Sequence, residues 1–164
     1  MGGCFPLTPP SDPPNLRQIP ITNAAWSALR GVVRMSVQME LYKIIISEMA
    51  EQQIIWLKEV DGERKFPIVI GSPEAMAIDR RLKGHVHPRP LTHDLLANII
   101  EQMGGAIDRI EINNLQNHTF YAKIHIRRDG EMIKVDSRPS DAIALGVATN
   151  VPVFVAEHVL EEAG

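Results

Sequence analysis

Two Asp-Gly-Glu tripeptides, at 61–63 and 129–131, each stand between short runs of apolar and β-branched residues, which commits much of the chain to hairpins. The runs flanking the first are Ile54–Leu57 and Phe66–Ile70; those flanking the second are Thr119–Ile126 and Ile133–Asp136. A helix start follows each pair, Ser72-Pro73-Glu74 in the first case and Ser137-Arg138-Pro139-Ser140-Asp141 in the second. The offset between the halves is 68 residues at the turn and 66 at the proline, so one small indel aligns them. The pattern predicts an α+β domain with mainly antiparallel sheet, built from two related β-β-α units.

The remaining elements fit that frame. Leu41–Ile46 reads as a first strand and Arg109–Leu115 as a later one. In the first helix Ser72 is the expected capping residue, and Ala75, Ile78 and Leu82 form its apolar stripe. In the second, Thr92 is the expected N-cap, and Leu91 can staple onto Leu96. Leu95, Leu96, Ile99, Ile100 and Met103 are expected to face the core, with Gly104-Gly105 as the stop. Thr119–Ile126 alternates strictly, which predicts Phe120, Ala122, Ile124 and Ile126 on a buried face. Tyr121, Lys123 and His125 then fall on a wet one. Ala142–Ala148 is a nearly all-apolar helix, and Val151–Ala156 a last short strand before a helical turn.

Length and composition bound the rest. With 164 residues, the chain accommodates one domain with a substantial core, expected over 39–161. Six of twelve prolines precede residue 21, so residues 1–38 read as a Pro-rich extension without a fold of its own, and Met35 as a candidate translation start. Hydrophobic residues make up 45%, yet no apolar run is long enough to cross a bilayer. The single cysteine, Cys4, rules out an internal disulfide framework and suits a reducing cytoplasm.

Arg17, Arg30 and Arg34 against Asp12 make residues 1–38 net +2, so the other 126 residues are net −5. A domain that holds nucleic acid by charge alone is basic, so any contact with phosphate here needs a local patch. Arg80, Arg81, Lys83 and Arg89 could form one; so could Arg127 and Arg128.

Two helix starts carry candidate chemistry. In Ser137–Asp141 the helix N-terminus and Arg138 could bind phosphate, while Asp136 and Asp141 offer hard oxygen donors to a divalent cation. The plainer alternative has Asp141 capping its own helix and Arg138 paired with it. In Arg89–Asp94, His93 could move a proton and Asp94 orient it or bind metal, or both could stabilise a first turn. His85 and His87 would share a face on a strand, but no cysteine or further ligand at zinc spacing joins them. His118, His125 and His158 stand alone, as surface or hydrogen-bonded residues. GxSxG, P-loop, GxGxxG and HExxH motifs are absent.

The strings RPLTHDLL (89–96), NHTFYAKIHI (117–126) and VDSRPSDAIAL (135–145) resemble the bifunctional nuclease domain family, in order and in spacing, over Met39 to Glu161. The resemblance implies a two-repeat α+β domain, often oligomeric, whose members are credited with cleaving DNA and RNA. Matching its motifs selects Arg89, His93, Asp94, Asp136, Arg138, Ser140 and Asp141, with Glu74 at the corresponding helix start of the first half. The implied function is metal-assisted phosphodiester hydrolysis of DNA or RNA with low sequence specificity. In that scheme His93, Asp94 and Asp141 are catalytic, Arg89, Arg138 and Ser140 bind substrate, and Asp94, Asp136 and Asp141 hold Mg²⁺ or Mn²⁺. The alternative is a non-catalytic homo-oligomeric module that binds an anion or a protein partner, pairing through exposed strand edges.

Overall fold

The computed structural model describes residues 36–164 apart from Glu48 and Val86. The expected Pro-rich extension up to residue 35 and the Met35 start lie outside the described residues, whereas residues 36–38 already belong to the first strand. In chain order the elements are β1 (Ser36–Ile45), β2 (Gln52–Glu59), β3 (Lys65–Gly71), α1 (Ser72–Leu82), α2 (Thr92–Gln102) and β4 (Ala106–Gln116). There follow β5 (Thr119–Arg128), β6 (Glu131–Ser137), α3 (Pro139–Thr149), β7 (Val153–Ala156) and α4 (Glu157–Ala163). None of these helices is long and apolar enough to cross a membrane.

All seven strands join one sheet in the order β3-β2-β1-β7-β4-β5-β6. Every neighbouring pair is antiparallel except β4 with β7, where Ile110 aligns with Val153 and Ile112 with Val155. The expected α+β class with mainly antiparallel pairing is therefore what forms. Segments 52–82 and 119–149 each run strand, turn, strand, helix, and they end at opposite edges of the sheet.

The two Asp-Gly turns differ. Asp129 and Gly130 have φ of 51° and 82°, the left-handed conformation that a two-residue hairpin between twisted strands demands. Asp61-Gly62 instead lies inside the five-residue connection 60–64, which the Glu59 N–H closes by donating to the Arg64 carbonyl at 3.0 Å. Arg64 also binds the Glu59 carboxylate and, at 2.6 Å, Glu157 at the start of α4. Between two carboxylates the guanidinium is held even more firmly protonated than usual.

Phe66 of β3 stacks on Phe120 of β5 with ring centroids 5.6 Å apart, although five strand-to-strand steps separate them in the sheet. At about 4.8 Å per step a flat sheet would hold them more than 20 Å apart. The sheet is thus strongly rolled, and its concave side holds the core of Ile55, Leu57, Phe66, Ile110, Ile112 and Val155. Helix α3 plugs this concavity with Ala142–Gly146 all buried, as its nearly all-apolar sequence requires. Gly146 lets it come close, since a β-carbon there would sit 3.0 Å from Ile110 Cγ1.

Three expectations need correction. Ser72 is the first helical residue rather than the cap, which is Gly71. The Ser72 hydroxyl donates to the Glu51 carbonyl and accepts from the Gln53 side chain. Leu91, not Thr92, holds the N-cap position of α2; the Asp94 carboxylate reaches back to accept its N–H at 3.0 Å. The largest departure is the apolar face of α2, expected in the core: Leu95, Leu96, Ile99 and Met103 are 44–60% exposed, and none of the helix's residues is buried.

Candidate functional site

Three helices define the site. Because α3 is fixed in the core along its length, Arg138 and Asp141 at its start are fixed too. Helix α1 presents Glu74 to the same place and α2 presents His93. Together with Asp136 at the end of β6, these residues ring the charged end of a cleft of about 810 Å³. The rest of the cleft is apolar: Leu96 and Ile100 on one side, Ile124, Ile126 and Val135 on the other, with Leu145 and Ala77 beneath.

Arg138 organises the charged end. Its Nε donates to Asp141 Oδ2 at 2.7 Å and its Nη2 to Glu74 Oε1 at 2.6 Å. The local Arg138–Asp141 pair foreseen as the plainer alternative does form, and Glu74 adds a second arm from another helix. Asp141 first and Glu74 second raise the guanidinium's affinity for its proton. The side chain is nonetheless 67% exposed, with N–H groups left over for an incoming anion. His93 Nε2 lies 3.6 Å from Asp141 Oδ1, just beyond hydrogen-bond length. The imidazole is largely buried at 18% exposure, so its ring has little freedom to swing away.

The other residues selected from the sequence fall elsewhere. Asp94 pairs with Arg81 besides capping α2, and it borders a separate space of only about 20 Å³ with His85, His87 and His93. Ser140 is buried and lines a third cavity, of about 430 Å³, between β3 and the start of β5. Arg89 is exposed in the loop before α2 and borders none of these three cavities. Asp94, Asp136 and Asp141 therefore do not converge as a ligand set. Among the described residues no group of three or more His, Cys, Asp and Glu side chains is placed to hold a metal ion. Arg138 occupies one oxygen of each of the two carboxylates nearest it, and this one cation against two acids leaves the cluster net negative.

One further pair joins a buried histidine to a partly exposed acid that the sequence did not single out. His125, expected on the wet face of β5, is fully buried; Glu111 of β4 accepts from its Nε2 at 2.7 Å, which fixes the neutral tautomer with a bare Nδ1. That Nδ1 has no partner among the described residues. Arg109 and Lys134 flank it in register on the two neighbouring strands, with stems long enough to close over the ring. Burial is the main cause that disfavours its protonated form, with the nearby Arg109 charge second; Glu111 opposes both. Alternation along β5 put His125 on the side away from Phe120 and Ala122 but wrongly made that side wet there, because it could not reveal the acid waiting on β4.

The fold and the cleft, with its His-Asp pair beside a doubly anchored arginine, define a small α+β domain with one charged and otherwise apolar cleft. The bifunctional nuclease domain model matches residues 55–164, and the chain belongs to that family. It is 40% identical over 121 residues to the uncharacterized protein Rv1829 of Mycobacterium tuberculosis, covering 74% of this chain and 72% of that one. It is 29% identical over 114 residues to Bifunctional nuclease 2 of Oryza sativa subsp. japonica, and 25% identical over 123 residues to Bifunctional nuclease 1 of the same plant. The chain spans 35% and 37% of the length of those two rice proteins, so it matches about a third of each.

Proposed function

We propose that this domain hydrolyses phosphodiester bonds of DNA or RNA, with little sequence preference, at the charged end of the cleft. The observation that carries the proposal is the meeting of Arg138, Asp141, His93 and Glu74 from three helices at one opening. Arg138 supplies a planar cation suited to a phosphate, whose arrival replaces part of its pairing with Glu74 and Asp141. His93 carries the proton, taking it from the attacking water or giving it to the leaving oxygen, and Asp141 lies beside its Nε2. Recognition through phosphate rather than base edges accounts for the low sequence preference. Net charge does not draw a polyanion to this domain, so affinity rests on Arg138 with Arg80 on the same cleft wall.

The test is cleavage of labelled single- and double-stranded DNA and RNA by the full chain, with Mg²⁺, with Mn²⁺ and with chelator. Arg138→Ala and Asp141→Ala proteins run alongside. Cleavage lost in both folded variants supports the assignment, and the chelator arm reports whether a cation arrives with the substrate. Cleavage equal in wild type and variants refutes it and favours the non-catalytic anion-binding module, for which the Glu74–Arg138–Asp141 cluster would be a purely structural ion-pair network.

A further inference from the structure

Asn117 and His118 form the two-residue turn between β4 and β5, with Gln116 paired to Thr119 across it. Both are left-handed, at φ of 49° and 60°. A hairpin turn of this kind favours asparagine followed by glycine, because glycine has no side chain to strain. His118 stands in the glycine position, so its imidazole needs a use that offsets the cost.

His118 borders the third cavity, the one of about 430 Å³ between β3 and the start of β5. Ser140 borders it too, and a second observation attaches to this residue. It is only 7% exposed, and its hydroxyl has no hydrogen-bond partner among the described residues. A buried hydroxyl left unpaired costs free energy, which a ligand group placed beside it would recover. The cavity also reaches Arg138, and of the described residues that line it and the large cleft, Arg138 alone belongs to both.

We propose that this cavity receives the nucleotide next to the scissile phosphate, so that a single strand of nucleic acid crosses from cavity to cleft over Arg138. The proposal rests on the phosphodiester reading above and deepens it, by naming the form of the substrate and two residues that hold it. The volume lies within the range of small-ligand pockets. Its lining sets apolar Phe120 and Pro67 beside polar Ser140, which suits a base with an apolar face and a polar edge. His118, exposed at the rim, offers a flat ring against which the base lies, and Ser140 hydrogen-bonds its edge. A base enters such a cavity only when unpaired and unstacked. A single strand presents it in that state, whereas a duplex must first be opened. Every base has a face to stack, so these contacts add affinity without sequence preference.

Fluorescence anisotropy with the full chain tests this, using a labelled twelve-nucleotide DNA strand and the same strand annealed to its complement. Binding is read in chelator, on strand recovered intact. Wild type is expected to hold the single strand about tenfold more tightly than the duplex. Ser140→Ala and His118→Gly are each expected to weaken single-strand binding by about 3–10-fold, the worth of one contact. Neither should lower the urea midpoint, and His118→Gly should raise it, because one change removes an unpartnered hydroxyl and the other relieves a strained turn. A merely structural role predicts the reverse, a lower midpoint with affinity unchanged. Folded variants that both bind like wild type overturn the proposal, as does a duplex held as tightly as the strand, or a wild type that binds neither. Binding is scored without cleavage, so the two readings fail separately. Variant-sensitive binding in a protein that cuts nothing overturns hydrolysis alone, and cleavage with variant-insensitive binding overturns the cavity alone.

Discussion

Glu74 and Arg138 lie 64 residues apart in sequence and 2.6 Å apart in the fold, Oε1 to Nη2. The contact ties the start of α1 to the start of α3 at the mouth of the cleft, and it uses the fork of a guanidinium, whose Nε and Nη2 reach two carboxylates on different elements. Arg138→Ala is expected to lower the cleavage rate by about 10²–10³-fold, the range for removal of a charge-stabilising donor. Arg138→Lys should recover little of it. Steady-state cleavage of a labelled oligonucleotide measures both, and full rescue by lysine would show that charge alone matters.

His93→Ala is expected to cost about 10²–10⁴-fold in rate, as for loss of a general acid or base. Asp141→Asn keeps the shape but not the charge facing the imidazole and the Arg138 guanidinium, so it should lower the rate as well. A rate identical to wild type would remove Asp141 from any part in the reaction.

Asp94 offers a contrast. Its carboxylate caps α2 and pairs with Arg81, away from the large cleft. Asp94→Ala should therefore reduce unfolding free energy by about 1 kcal/mol while cleavage per folded molecule stays near wild type. Denaturant titration paired with the cleavage assay separates the two effects, and a loss of rate matching Asp141→Ala would return Asp94 to the reaction.

His125 should make stability depend on pH. Its protonated form is disfavoured in the fold, so the unfolded chain binds the proton more readily. The stability contributed by the neutral ring is present above the ordinary histidine range, near 6.5, and is lost as pH falls below it. Wild type is expected to lose more stability between pH 7.5 and 5.5, on the order of a protonation-linked term, than His125→Gln does. Equal slopes in thermal melts across that interval would contradict this.

Phe66→Ala removes a fully buried ring and its stack on Phe120, the contact that holds the rolled sheet together across its concave side. A destabilisation of about 3–5 kcal/mol is expected in urea titration. A loss below about 1 kcal/mol would mean that neighbouring side chains collapse into the space.

The strands were legible because β-branched runs and strict alternation report local geometry directly, as in Ile54–Leu57 and Thr119–Ile126. The helices were legible from proline at the start and apolar spacing. What covers a face was not. The same stripe that marks Ile78 of α1 as core marks Leu95 and Ile99 of α2, because periodicity records amphipathicity and says nothing of what lies opposite. The candidate site was legible where its members are close in sequence, Arg138 with Asp141. It was partly legible for Glu74, singled out only by its place at the matching helix start. The acid that pairs with His125 lies on another strand, 14 residues away, and strand register is not written in either segment alone. The assignment of Asp94 to a metal set fails to gather its partners for a related reason: one acid at a helix start serves as well for a cap as for a ligand.

Strand β7, only four residues long, runs between β1 and β4 and joins the two halves of the sheet. On the ribosome, three strands of each half can pair as meanders as soon as they emerge. The sheet cannot become continuous until residues 153–156 have also emerged, because the joining strand is made after the other six. Until then the facing edges of β1 and β4 stay open to solvent. A chain truncated before Val153 should leave those edges free and prone to aggregate.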